Sequence, residues 1–380
     1  MQVFEGHSSQ HHAEIAIEES TQHWNNDGIC NPDIIFAFHS SKQNPEEIAT
    51  TLARHYPDSL IVGCTTAGEW RTGCYQTQSL ILLAITSSKI RWATELVESL
   101  EDFNEHTASL AYNALLRKLN IVRSDLTPKR HFCIGLVDGI KGLDGSAVAA
   151  MANELGNIPF LGGMAGDDLL FEQTHIIANG RVVSGGAVFI LAESDEPFKC
   201  IKHQHFVPGN INMTITRADE TERRVMRLDG KPAAKRYADL LGLGIEDLGF
   251  QTFSEHPVIY RYGNESYVRS IQKANSDGSL TFYCAIEEGM VLNLCEHRDI
   301  TQELDRSISE LRGSTEKAQL MLMCNCVFRS LESEAKNQSQ ALANHAGELA
   351  RHAVGFNTYG ELWNGLHINQ TLVALILGRE

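Results

Sequence analysis

Two glycine-bearing stretches and the last thirty or so residues hold most of the side chains that could bind or react. Gly63-Cys64-Thr65-Thr66-Ala67-Gly68-Glu69 and Gly162-Gly163-Met164-Ala165-Gly166-Asp167-Asp168 each follow an apolar run of strand length and carry a terminal acid. Glycine there permits positive φ and close backbone approach, and strand C-termini are where open sheets bind ligands. A pair of tight turns is the competing reading. Neither stretch is a P-loop, because no Gly-Lys-Ser/Thr follows, and the acids would repel a pyrophosphate. Near the C-terminus, Tyr359, Glu361, His367 and Asn369 bring a phenol, a carboxylate, an imidazole and an amide beside the apolar run Val373-Ala374-Leu375-Ile376-Leu377. Polar groups next to a fully buried strand must be paired or must face something bound there.

Arg329 follows another apolar strand, so it either pairs a protein carboxylate or anchors a ligand anion. Cys64 has no base near it in sequence and reads as a buried structural thiol. Cys324 and Cys326 supply two thiols on one strand face, too few for a zinc site. His345, Glu348 and His352 are spaced to share one face of a helix, which suits either a metal or solvent. His7, His11, His12 and His23 make the first thirty residues histidine-rich, again a metal tract or a solvated segment. No Ser/His/Asp order and no H-E-x-x-H is present, which argues against an enzyme.

The elements that must position these residues read as mixed α/β. Strands are expected over 32–39, 59–64, 80–85, 90–96, 132–139, 258–262, 319–324 and 373–377. Asn44-Pro45-Glu46-Glu47 places an N-cap, a first-turn proline and acids at the start of a helix running to about His55. Further helices are expected over 103–119, with Leu110, Leu115, Leu116 and Leu119 on one face, and over 147–155, 231–241 and 300–311. A long helix is expected over 331–353, and a linking loop over 242–256. Asn179-Gly180 suits a hairpin turn. No fixed-period repeat is visible. The expected plan is a polar N-terminal segment (1–30) and two strand-and-helix halves, 31–225 and 226–380, with a ligand cleft at strand ends or between the halves.

Bulk composition narrows the classes. The chain has 380 residues, 43% hydrophobic and 21% charged, which describes an ordinary folded protein. A formal charge of −16 with no Lys/Arg run argues against nucleic acid. The start lacks a basic region and an apolar region of the signal-peptide kind, and no apolar run is long enough for a membrane span. Nine scattered cysteines without a C-x-x-C pair read as reduced thiols. A cytoplasmic protein with no membrane attachment is expected.

At 63–69, 162–167, 326–329 and 355–361 the chain resembles the FIST family, a sensory module built from an N-terminal and a C-terminal FIST region. The resemblance spans roughly 30 to 378 and implies a ligand-sensing protein without catalytic chemistry. Within the family, Gly365-Leu366-His367-Ile368-Asn369-Gln370-Thr371 resembles the stand-alone haem-binding, nitric-oxide-sensing (NosP-like) branch. That resemblance implies haem b on one imidazole, with His367 first, His352 next and His345 or His297 behind. It also implies a partner histidine kinase, since no output segment is attached. Covalent attachment of haem is excluded by the lack of C-x-x-C-H. The alternative within the family is a receptor for a small organic ligand such as an amino acid, held by Arg329, Arg269, Glu69 and Glu361, with Thr65, Asp167 and Tyr359 alongside. A homodimer is compatible with either.

Overall fold

The structure is a computed structural model and describes residues 1–26, 31–141, 145–263, 265–311 and 317–378. Apolar runs that lack alternation form strands buried on both faces, and three such sets repeat one plan. In the first, β1 (Gln2–Ser8) is followed by α1 (Ala13–Asn26), β2 (Ile34–Ser40), α2 (Pro45–His55) and β3 (Leu60–Thr66). A hairpin, β4 (Glu69–Arg71) and β5 (Cys74–Gln76), then leads to β6 (Leu80–Thr86). Helix α2 starts where its signals sit: the Asn44 side chain accepts from the Glu46 and Glu47 amides behind Pro45.

The second set is β7 (Ile90–Val97), α3 (Glu105–Leu119), β8 (His131–Val137), α4 (Ser146–Leu155), β9 (Phe160–Met164), the hairpin β10 (Ile176–Ala178) and β11 (Arg181–Val183), and β12 (Ala187–Ser194). The third begins with β13 (Phe198–His203) and is interrupted by an inserted eight-stranded sheet. That insert holds β14 (Phe206–Asp219), β15 (Arg224–Leu228), β16 (Lys231–Pro232), α5 (Ala233–Leu241), α6 (Phe250–Glu255), β17 (Val258–Tyr262), β18 (Glu265–Arg269), β19 (Ile271–Ala274), β20 (Leu280–Phe282) and β21 (Val291–His297). The third set resumes with α7 (Ile300–Leu311), β22 (Ala318–Cys326), α8 (Val327–Ala335), α9 (Ser339–Leu349) and β23 (Ala350–Thr358). It closes with the hairpin β24 (Glu361–Trp363) and β25 (Leu366–Ile368), then β26 (Leu372–Leu377).

Each set builds a six-stranded sheet of the same order, and each sends its hairpin to a neighbour. The sheets run β1-β6-β2-β3, β7-β12-β8-β9 and β13-β26-β22-β23, with the last two strands of each parallel. The hairpin β10–β11 completes the first sheet, β24–β25 the second and β4–β5 the third. The exchange is cyclic, so the chain is a pseudo-threefold of interlocked repeats. Register makes the equivalence residue-specific: Ile176 lies opposite Cys64, Glu361 opposite Gly163, and Glu69 opposite Phe356.

The inner faces of the three sheets share one core that includes Phe38, Ile134, Leu136, Leu322 and Phe356, with Phe38 stacked on Phe356 at 4.6 Å. Outer faces are covered by α1 and α2, by α3 and α4, and by α7 and α9 respectively. Among the described residues no helix is long and apolar enough to cross a membrane.

Several expectations are corrected. The first thirty residues are not a polar tail: Gln2–Ser8 pairs with β6, and Ala13, Ala16, Ile17 and Trp24 are buried under α1 (27–30 lie outside the described residues). The expected helix over 331–353 is two helices and a strand, broken at Asn337, where φ is +54°. His352 therefore sits on β23, apart from His345 on α9. The expected loop over 242–256 contains α6, and Leu110 on α3 is 56% exposed instead of packed. The repeat unseen in sequence is the threefold above, and position 225 falls inside β15 of the inserted sheet.

Candidate functional site

The exchange brings the carboxyl ends of the parallel strands of all three repeats together. After β3, β9 and β23 the backbones bond one another: Gly166 N to Thr65 O (2.9 Å), Asp168 N to Thr66 O (3.0 Å), Met164 N to Gly360 O (2.9 Å) and Asn357 N to Gly68 O (2.7 Å). The approach is close enough to require glycine. A Cβ on Gly139 would lie 1.7 Å from the Ala165 carbonyl oxygen, and one on Gly166 would lie 2.9 Å from the Ala67 nitrogen.

Of the residues singled out in the sequence, Thr65, Glu69, Asp167, Tyr359 and Glu361 build this convergence, whereas His352 lies in a separate pocket. Thr65 Oγ1 accepts from the His175 amide at 2.9 Å. Asp167 accepts from the amides of Phe171 (2.8 Å), Glu172 (2.7 Å) and Gln173 (2.9 Å), and the Tyr359 hydroxyl donates to its Oδ1. Tyr359 Oη in turn accepts from the Leu169 amide at 2.9 Å. Those bonds hold a loop in which Asp168, Leu169 and Phe171 all have positive φ, a conformation costing non-glycine residues about 1–3 kcal/mol each. Phe171 lies flat on Tyr359, ring centroids 4.5 Å apart.

Glu69 and Glu361 occupy equivalent hairpin positions and are both fully buried. Glu69 Oε2 accepts from Ser79 N (3.2 Å) and Oγ (2.5 Å); Glu361 Oε2 accepts from Thr371 N (3.0 Å) and Oγ1 (2.5 Å). Burial outweighs these bonds and pushes each carboxyl up to about 8. Arg269 Nη1 donates to the His367 carbonyl at 3.1 Å. Arg329, only 1% exposed, donates from Nε to Asn325 Oδ1 (3.0 Å) and from Nη1 to His205 Nδ1 (2.9 Å), and burial brings it down to about 10. Thr65, Glu69, Asp167, Arg269 and Glu361 are thus closed into the interior.

What opens at the strand ends is apolar. A pocket of about 530 Å³ is walled by Tyr359, Phe171, Phe328, Leu331, Tyr283 and Gln272, and among the described residues no charged side chain lines it. Tyr359 and α8 come from the third repeat, Phe171 from the second, and Gln272 and Tyr283 from the insert. Past Phe250, Phe328 and Leu331 lies a second pocket of about 580 Å³ with His297, Glu332 and Lys336 on its wall. Helix α8 thus shows Phe328, Leu331 and Glu332 to the pockets while Arg329 and Ser330 point into the buried polar network of Asn325 and Asn357. Sequence reasoning, searching for polar clusters, missed Phe171, Phe328, Tyr283 and Gln272. The one signal was an apolar run, Leu169-Leu170-Phe171, straight after two acids in a loop.

The histidines offered for haem do not converge. His367 is 5% exposed; its Nε2 lies 3.2 Å from the Asn369 amide nitrogen and would be 2.0 Å from a Cβ on Gly360, so that nitrogen faces the chain itself. His352 lies in a charged pocket with Glu5, Glu19 and Arg71, unlike the apolar slot a macrocycle needs. His345 Nδ1 is 3.8 Å from Asp305, and His297 Nε2 is 2.7 Å from Glu332. The residues do not fit a haem in this arrangement. His205, His297 and Glu332 have metal-like spacing. The Arg329 guanidinium is a donor only, however, so His205 Nδ1 accepts and the proton sits on Nε2, closing that atom to a metal. His205 instead donates to Glu332 Oε2 at 2.8 Å. Burial alone would raise Glu332, but the bonds from His205 and His297 overcome it and hold the carboxylate well below its usual range.

Residues 33–231 match the FIST N domain and residues 233–364 the FIST C domain. The chain belongs to the FIST family, whose domains are sensory modules of signal transduction. It is also similar to an uncharacterized protein of Methanocaldococcus jannaschii, 22% identical over 300 residues that make up 74% of this chain. The match spans 56% of that relative's length.

Proposed function

We propose that this protein is a sensor whose ligand is a small uncharged molecule with an apolar or aromatic body, bound in the pocket at the strand ends. The observation that carries the reading is the wall of that pocket: aromatic and aliphatic side chains, with Gln272 and Tyr283 as the polar residues and no charged side chain among the described residues. The family supplies the sensory role, and the position at the carboxyl ends of parallel strands is where open sheets take ligands. A ligand here touches two repeats and the insert at once, so it biases how the insert sits on α8. Output then passes to a partner signalling protein in the cytoplasm, a histidine kinase being the first to try. Binding without catalysis fits the thiols, since burial raises Cys64 well above its ordinary value.

The amino-acid version is less favoured, because Arg329, Arg269, Glu69 and Glu361 are buried and line neither of the open pockets at the strand ends. The haem and nitric oxide reading rests on the resemblance of 365–371 alone. The test is a thermal-shift comparison of the purified protein with indole, benzyl alcohol and free tryptophan, beside an absorption spectrum with hemin. Concentration-dependent stabilisation by the uncharged compounds, without a stoichiometric Soret band, is expected. Stabilisation by tryptophan alone, or a Soret band that shifts with nitric oxide, would replace this reading with one of the other two.

A further inference from the structure

A further pocket lies among β1, α1, the exchanged hairpin and β23. These elements enclose a polar pocket of about 640 Å³ whose ionisable walls are Glu5, His7, Glu19, His23, Arg71 and His352. Counting donors and acceptors shows what it lacks. Glu19 accepts from Ser8 Oγ (2.5 Å) and Gln10 Nε2 (3.3 Å), and Glu5 Oε2 accepts from Thr72 Oγ1 (3.0 Å). Both acids thus accept from hydroxyls and an amide of neighbouring elements. Arg71 has no hydrogen-bond or ion-pair partner among the described residues, and its Nε is buried. His352 Nδ1 is likewise buried without a partner. A guanidinium partly withdrawn from water and left unpaired is costly, and its planar fork suits a carboxylate or a tetrahedral oxyanion.

We propose that this pocket binds a small oxyanion, gripped by Arg71, with His7 and His352 as further donors. Arg71 sits on the hairpin that the first repeat lends to the third, His7 on the first strand, and His352 on the strand that receives the hairpin. A bound oxyanion would then clasp the exchanged hairpin to both repeats. His7 is lowered first by burial and then by Arg71, while Glu5 and Glu19 oppose the shift; burial lowers His352 as well. An anion between these rings and Arg71 favours their protonated forms, so binding tightens as pH falls from 8 to 6. His23 faces the same space.

The experiment is calorimetric titration of the full chain with sodium sulfate and, separately, sodium acetate, at ionic strength held constant with chloride. Neither probe changes charge between pH 6 and 8. Saturable binding of at least one is expected, about tenfold weaker in Arg71→Gln and several-fold tighter at pH 6 than at pH 8. His7→Gln, which keeps a polar side chain on the pocket wall, should bind with a flatter pH dependence. Sulfate without acetate would assign a tetrahedral dianion, and acetate without sulfate a carboxylate. No saturable binding, or undiminished affinity in a folded Arg71→Gln protein, overturns the proposal. If Arg71→Gln does not fold, an unaltered pH dependence in His7→Gln does so.

Discussion

Replacing Glu361 by glutamine should make the protein relatively more stable as pH rises. Glu361 is buried and its Oε2 accepts both donors of Thr371, which leaves Oε1, without a hydrogen-bond partner, to carry the proton of the neutral acid. Its folded value of about 8 lies above the model-peptide value of 4.5. A raised carboxyl means that the folded state holds a proton the unfolded chain has lost. Stability contributed by that proton is full below about 4.5 and is lost as pH rises through about 8. Inside that window the slope is about 1.4 kcal/mol per pH unit per group, so pH 6 to 7.5 removes about 2 kcal/mol for Glu361. Glu69, at the equivalent position with the same raised value, removes a similar amount. Glutamine cannot ionise; whatever fixed offset its amide brings, the difference between variant and wild type should move by about 2 kcal/mol in the variant's favour over that interval. Urea unfolding followed by circular dichroism at pH 6.0 and 7.5 measures it. A difference that stays constant with pH would show that Glu361 is ionised throughout, and the account of these hairpins as closed by neutral acids would fail.

Further outcomes follow from the same geometry. Asp167→Ala removes the acceptor of three amides in the strained loop, so faster proteolysis between 167 and 173 is expected, with the protein otherwise folded. Glu332 is held well below the usual carboxylate range, so its contribution is full above about 4.5 and fades on acidification; Glu332→Gln should be less stable than wild type at pH 7, by a margin that narrows as pH falls below about 4.5, by thermal melts. Arg329→Ala leaves Asn325 and His205 without their buried donor and should cost about 3–5 kcal/mol in urea unfolding.

The parts of the fold written in local signals were readable. The capped helix after Asn44, the apolar strands and the terminal strand between β13 and β22 all stand where their patterns place them. The threefold plan was not. Its repeats share little beyond the glycine, threonine, glycine and glutamate spacing of 63–69 and 355–361, and the inserted sheet interrupts the third one. Hairpin exchange is a long-range pairing that no local period records. The helix expected over 331–353 failed because Ala350–Thr358 finds its ladder in β22, a tertiary partner that overrides propensity. At the site, sequence found polar residues at the right strand ends, but their burial turned them into scaffold, whereas the pocket wall is apolar and drawn from separate parts of the chain.

The most direct test of the central claim is calorimetric titration of the full chain with indole, repeated with Phe171→Asp. Phe171 is half exposed at the pocket, so aspartate there places a charge on the wall without emptying the core. Saturable indole binding in the wild type and its loss in the variant is the predicted result. Equal indole affinity in both proteins, or binding of zwitterionic tryptophan where indole fails, would contradict it.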